Sequence, residues 1–297
     1  MKQIPVIIDC DPGVDDVIAL VLAFGAPEVH VLGITTVNGN STVENTTRNA
    51  ARACRIAGVK TPVFSGAEKP LYRDFTFDPA YCGADGLCDI DLAPDTAVIQ
   101  PQSALSFLTQ TLREAAEPVT IVSIASMTNL AQLLMQAPEL KTKIKEIVTI
   151  AGYYWLDPDA GRAEWNVLYD PEAAKLVFDS GVPVRALGLD VTAKLRLEHA
   201  QLLLEQSSHE FERFLQHSLQ FITKKQMNPA GILVDAMAVA ATIRPELARY
   251  RRGRAQVNPT RSDAHLMEFT PCADGNVLAA EAFDFSAYMN LFRKQEV

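Results

Sequence analysis

Apolar residues recur along this chain in two rhythms. Short runs rich in Val, Ile and Leu occur at Ile4–Asp9, Val29–Val37, Pro62–Ser65, Val119–Ile124, Glu146–Ala151 and Val182–Leu189, as expected of strands buried on both faces. Between them, apolar positions fall at helical spacing. Val17, Leu20, Val21 and Phe24 mark a helix over Asp15–Phe24 that stops at Gly25, and similar patterns cover Val43–Ala57, Ser103–Ala115, Asn129–Gln136 and Pro171–Ser180. This alternation predicts βαβ units, hence an α/β fold with a mostly parallel, Rossmann-like sheet flanked by helices. From about His199 to Arg244 the pattern is mainly helical, and the remainder predicts short strands and a terminal helix at Phe283–Phe292. Glu68–Pro94 is irregular, with several Pro, Gly and Asp, and predicts a long loop covering a site. No linker, repeat or low-complexity tract interrupts residues 1–297, so one domain is expected.

Composition narrows the partners. With a net charge of −9, the chain is poorly suited to a nucleic acid polymer, which needs a positive surface. A neutral small molecule or a cation fits better. No apolar run reaches membrane-spanning length and the N-terminus meets acidic residues at once, so neither a membrane nor a signal peptide is expected. Cys10, Cys54, Cys82, Cys88 and Cys272 are odd in number and lack a CxxC pair, which suits reduced thiols and a cytoplasmic setting.

The chemistry concentrates at the end of the first strand. Asp9 and Asp11, two apart, share one face of it. Pro12-Gly13 turns the chain, and Asp15 and Asp16 open the first helix. Capping explains one aspartate at a helix start, and the helix dipole favours acidic residues there. Four carboxylates within eight residues call for a cation, and hard divalent ions take oxygen ligands.

The stretch IIDCDPGVDDVIAL resembles the opening motif of the inosine–uridine nucleoside hydrolases, an aspartate-rich DxDPGxDD. The likeness continues in order through Thr35-Thr36-Val37-Asn38-Gly39-Asn40, Met127-Thr128-Asn129, Ala163-Glu164-Trp165-Asn166, Asp170-Pro171-Glu172-Ala173-Ala174, Gly188-Leu189-Asp190-Val191-Thr192 and Asp235. It covers roughly the first 245 residues and is faint past Tyr250. The resemblance implies the nucleoside hydrolase fold and calcium-dependent cleavage of the N-glycosidic bond of a ribonucleoside, a salvage reaction. It implies Ca2+ held by Asp11, Asp16, Asp235 and the backbone carbonyl of Ile124. It further implies Asp11 as the base that takes a proton from the attacking water, and ribose contacts from Asp15 (2′-hydroxyl), Asn166 (3′-hydroxyl) and Glu164 (5′-hydroxyl), with Asn40 nearby. Asp9 would steady the loop from behind. Homo-oligomers, dimers or tetramers, are common in such proteins.

Two departures concern the leaving group. Many family members carry a histidine before the aspartate matching Asp235, where this chain has Val234. They also carry an HGxxG loop, here Cys82-Gly83-Ala84-Asp85-Gly86. A further family asparagine would fall near Pro158. Tyr153 and Trp155 could stack on a nucleobase or donate to it, or simply cover the core. Cys82 is a donor candidate by position, or a small apolar filler. The five histidines lie outside these motifs and are assigned no role. A calcium- and ribose-binding protein with weak or no turnover is therefore a second reading. An aspartyl phosphatase is a third, opposed by Gly13 where a Thr or Ser would be expected.

Overall fold

Parallel strands need long crossovers, and the sequence supplies them as helices. The structure, a computed structural model, describes residues 2–74, 76–155, 161–196 and 209–292. Among the described residues ten strands form one sheet: β1 (Ile4–Cys10), β2 (Val29–Thr36), β3 (Val63–Ser65), β4 (Ile99–Gln100), β5 (Val119–Ser123), β6 (Ile144–Ile150), β7 (Val184–Leu187), β8 (Ala248–Val257), β9 (Met267–Pro271) and β10 (Val277–Phe283). Their order is β4-β3-β2-β1-β5-β6-β7-β10-β8-β9. From β4 to β10 neighbouring strands are parallel, and β8 and β9 add an antiparallel edge.

The six expected strands are present, with ends shifted by one or two residues. β4, two residues long, is too short to leave a periodic signal. The C-terminal ribbon was expected only as short strands, yet β8 runs ten residues. It alternates buried Ala255 and Val257 with exposed Arg254 and Gln256, because the sheet edge keeps one face in water. The helical stretch from His199 contains helices at His209–Lys224 and Ala236–Ile243. Its first part, His199 included, lies outside the described residues, as do Asp157, Pro158 and Asp159.

Alternate residues of the central strands feed two cores. Ile8, Val122 and Val148 pack on one side with helix α1 (Val14–Gly25) and the Ala236–Ile243 helix. Ile7, Ile121 and Ile147 pack on the other with the helices Ala104–Glu114, Thr128–Gln136 and Pro171–Asp179. Register aligns the strand ends: Asp9 lies opposite Thr35 on one side and Ser123 on the other, and Ser123 opposite Thr149. The chain winds outward in both directions from β1, so the strand order reverses between β1 and β5. The region beyond the carboxyl ends at such a reversal is the usual ligand position in these sheets. No described helix is long and apolar enough to cross a membrane.

Candidate functional site

The DPG turn after β1 is wired from within. Asp16 accepts the Asp11 backbone N–H at 3.2 Å, the Gly13 N–H at 2.9 Å and the Asn40 amide at 3.3 Å. Asn40 also donates its side-chain amide to the Asp11 carbonyl at 3.1 Å and its backbone N–H to Asp11 Oδ2 at 2.8 Å. The turn carrying Asn40 comes very close: a Cβ on Gly39 would sit 1.9 Å from Asp11 Oδ2, and one on Gly13 2.7 Å from Asn40 Nδ2. Glycine is required at both by sheer proximity. Behind them Asp9, fully buried, accepts from Thr35 Oγ1 at 2.6 Å and Asn129 Nδ2 at 2.8 Å. Asn129 also reaches the Thr36 carbonyl and the Ala67 N–H, so Asp9 ties the ends of β1 and β2 to the loop after β3.

Asp235 arrives from the other end of the sequence, immediately before the Ala236–Ile243 helix. Carboxylate oxygens of Asp15, Asp16 and Asp235 lie within 4.8 Å of one another. Burial first, then the charges of Asp15, Asp16, Asp11 and Glu164, pushes Asp235 well above the usual carboxylate range. Burial and Asp15 push Asp16 up, burial and Asp16 push Asp11 up, and burial raises Asp15 to about 6. None of the ion pairs among the described residues involves these carboxylates. Several buried negative groups without a basic partner are costly unless a cation joins them. An all-oxygen donor set of this kind fits a hard divalent ion. The mutually closest set contains Asp15, expected on the ribose, and leaves out Asp11, expected on the metal; Asp11 is drawn instead to the Asn40 N–H.

The Ile124 peptide stands just past β5, donating its N–H to the Asp9 carbonyl at 2.9 Å. Its own carbonyl accepts from Asn166 Nδ2 at 3.1 Å, and the same amide group donates to the Ile150 carbonyl at 2.9 Å. Asn166 thus spans the ends of β5 and β6. Glu164 is buried and accepts the N–H groups of Gly152, Asn166 and Val167 at 2.8–3.0 Å. Both Glu164 and Asn166 are therefore buried rather than on a surface loop. Asp190 holds the same turn from outside, accepting the N–H groups of Tyr154 and Trp155, both at 2.8 Å.

The side expected to face the leaving group is different. Cys82 lies next to the cluster, its thiol 3.8 Å from Asn40 Oδ1, and burial together with Asp15 pushes that thiol up, keeping it protonated. Val234 is half-buried beside Asp235. Tyr153 is half-buried, whereas Tyr154 is buried against Phe269. The Trp155 ring is committed elsewhere: its indole N–H donates to the Ala280 carbonyl at 3.1 Å, it packs edge-on to Phe269, and the Arg251 guanidinium lies over it. For Trp155 the core-covering alternative describes the observed packing, because the β8–β10 edge offers it an apolar floor and a cation. His30 and His265 are exposed, and His217 bonds the Cys88 carbonyl at 2.8 Å.

Sequence reasoning passed over Asn38 and Tyr169. Asn38, fully buried, donates to the Tyr169 hydroxyl at 2.9 Å. Burial and the Asp11 charge push that hydroxyl up. Asn38 sat in a quoted motif without a role, and nothing local in the sequence marks Tyr169.

The profile of the inosine-uridine preferring nucleoside hydrolases matches residues 6–288. The chain belongs to that family. The match continues past Tyr250, beyond where the motif likeness fades. The pyrimidine-specific ribonucleoside hydrolase RihA of Escherichia coli O7:K1 is 46% identical over 195 residues, 65% of this chain and 63% of that protein. Its Salmonella typhimurium counterpart is 45% identical over 200 residues, 67% of this chain and 64% of the relative. The chain thus aligns with a little under two thirds of these curated relatives. Among solved structures, a purine-preferring ribonucleoside hydrolase from Gardnerella vaginalis superposes with a TM-score of 0.87 at 27% identity, covering 98% of this chain and 97% of the other. A plant nucleoside hydrolase gives 0.85 at 25% identity and 99% coverage of both.

Proposed function

We propose that this protein is a calcium-dependent hydrolase of the N-glycosidic bond of ribonucleosides, releasing ribose and free base. One observation carries the reading: separated stretches of chain converge the half-buried Asp15 and the buried Asp16 and Asp235 on one point, with no ion-pair partner among the described residues. Asp11 and the Ile124 carbonyl would complete the oxygen set around the ion. Bound calcium would anchor the ribose and lower the pKa of water held there. Asp11 would take the proton from water attacking the anomeric carbon as positive charge develops on the sugar. Asn166 would meet the 3′-hydroxyl as an acceptor, since both its amide hydrogens are engaged by Ile124 and Ile150. Glu164 keeps acceptor capacity for the 5′-hydroxyl after its three backbone bonds, a carboxylate offering about four lone-pair sites. Asp15 would serve the 2′-hydroxyl, with Asn40 holding Asp11 in place.

The relatives at 45–46% identity are named for pyrimidine ribonucleosides, so uridine and cytidine are the first substrates to test. Purified protein with calcium should release free ribose from at least one ribonucleoside, and a chelator should stop it. Ligand binding without ribose release from any of a purine and pyrimidine panel would favour the second reading, a calcium- and ribose-binding protein. Val234 and Cys82 at the histidine positions are what support that alternative. We take the protein to act in the cytoplasm as a single-domain homo-oligomer; a monomer mass by light scattering would remove the last part.

A further inference from the structure

We infer that Asn49 and Arg52 are positioning residues that set the leaving-group side of the cleft, by locking the loop bearing Cys82 onto the turn bearing Asp11. The inference rests on the ribonucleoside hydrolase reading. Both residues lie on helix α2 (Val43–Ile56), three apart and therefore on one face. Asn49 is fully buried and its amide is completely used. It donates to the Pro12 carbonyl at 2.8 Å and to the Asp85 carbonyl at 2.9 Å, while its oxygen accepts from Arg52 Nη1 at 2.7 Å. Arg52 Nη1 also reaches Asp85 Oδ2 at 2.7 Å, and Nε donates to the Leu92 carbonyl at 2.7 Å.

One buried amide therefore joins the peptide next to Asp11 with the loop beginning at Cys82, and the guanidinium holds that loop at two points. The Arg52–Asp85 pair keeps only 12% and 22% of its side chains exposed. A largely buried ion pair contributes little net stability relative to apolar packing. What it supplies is geometry, a planar fork with fixed donor directions. Cys82 approaches Asn40 across the gap so defined. A shift of the loop would move the groups around the departing base while leaving Asp16, Asp235 and the ribose contacts in place.

The test pairs two substrates with one structural readout, using the calcium-loaded protein and the variants Arg52→Met, Arg52→Lys and Asn49→Leu. For whichever ribonucleoside the wild type cleaves, Arg52→Met and Asn49→Leu should lower kcat/KM about a hundredfold, the scale of a small misplacement. A nitrophenyl riboside, whose leaving group needs little help, should change by less than about threefold in Arg52→Met, whereas Asn49→Leu, which also frees the Pro12 carbonyl beside Asp11, should lose activity on both substrates. Amide hydrogen exchange over residues 84–92 should rise by about tenfold or more, because local opening loses its restraint. Arg52→Lys, which keeps the charge but not the fork, should fall between. Equal losses on both substrates in Arg52→Met, or unchanged exchange in the loop, would overturn the inference. If the wild type cleaves neither substrate, the hydrolase reading fails, and the clamp stands or falls on the exchange data alone.

Discussion

Two neighbouring contacts decide what Asp11 can do. Its Oδ2 accepts the Asn40 N–H at 2.8 Å, and the Gly39 Cα is packed against the same carboxylate. Asp11→Asn should preserve the fold, read by circular dichroism, and lower turnover by about 10²–10⁴, the range of general-base contributions; undiminished ribose release would count against its role. Gly39→Ala tests the packing. The added methyl meets Asp11 Oδ2 at 1.9 Å, so the turn or the carboxylate must move. Denaturant unfolding should show a loss of about 1–3 kcal/mol, with a fall in activity out of proportion to it.

Elements meet at this site through buried acidic side chains used as fasteners. Asp170 is fully buried and caps the Pro171–Asp179 helix by accepting the Ala173 N–H at 3.0 Å. Its other oxygen accepts from Thr128 Oγ1 at 2.7 Å and from the Leu71 N–H at 2.8 Å. One carboxylate thus links two helices and the long loop after β3. Asp170→Ala leaves three donors without this acceptor, two of them outside its own helix, and should cost about 3 kcal/mol or more in unfolding free energy. A loss under about half that in urea titration would show that water replaces it easily.

For the whole molecule, the carboxylate cluster makes stability depend on cation and pH together. Saturating calcium at a hundred times its dissociation constant should add about 2.7 kcal/mol, seen as a rise in Tm of about 4–5 °C over the chelated protein. Asp16→Ala or Asp235→Ala should shrink that rise. The pH trend without metal follows from burial, which raises Asp9 and Asp15 from 3.8 to about 6. Between those values the folded state holds protons that the unfolded chain has released, so stability falls as pH rises through the window. The chelated protein should therefore melt higher at pH 5 than at pH 7.5. A chelated Tm that climbs with pH over this range would show that the cluster is not the controlling group.

Much of this was legible in one dimension. The strand–helix alternation follows from apolar periodicity, and the DPG turn with its four aspartates follows from turn and helix-start chemistry, both local properties of adjacent residues. Tertiary structure alone decided which distant groups meet. Asp235 reaches Asp15 and Asp16 because the Ala236–Ile243 helix packs against α1 in one core, and Asn166 spans Ile124 and Ile150 because β5 and β6 end level. Trp155 faces the β8–β10 edge for a like reason: that ribbon returns to the sheet only through long-range pairing. Contacts across a hundred residues depend on strand register and crossover packing, for which no neighbouring side chain carries a signal.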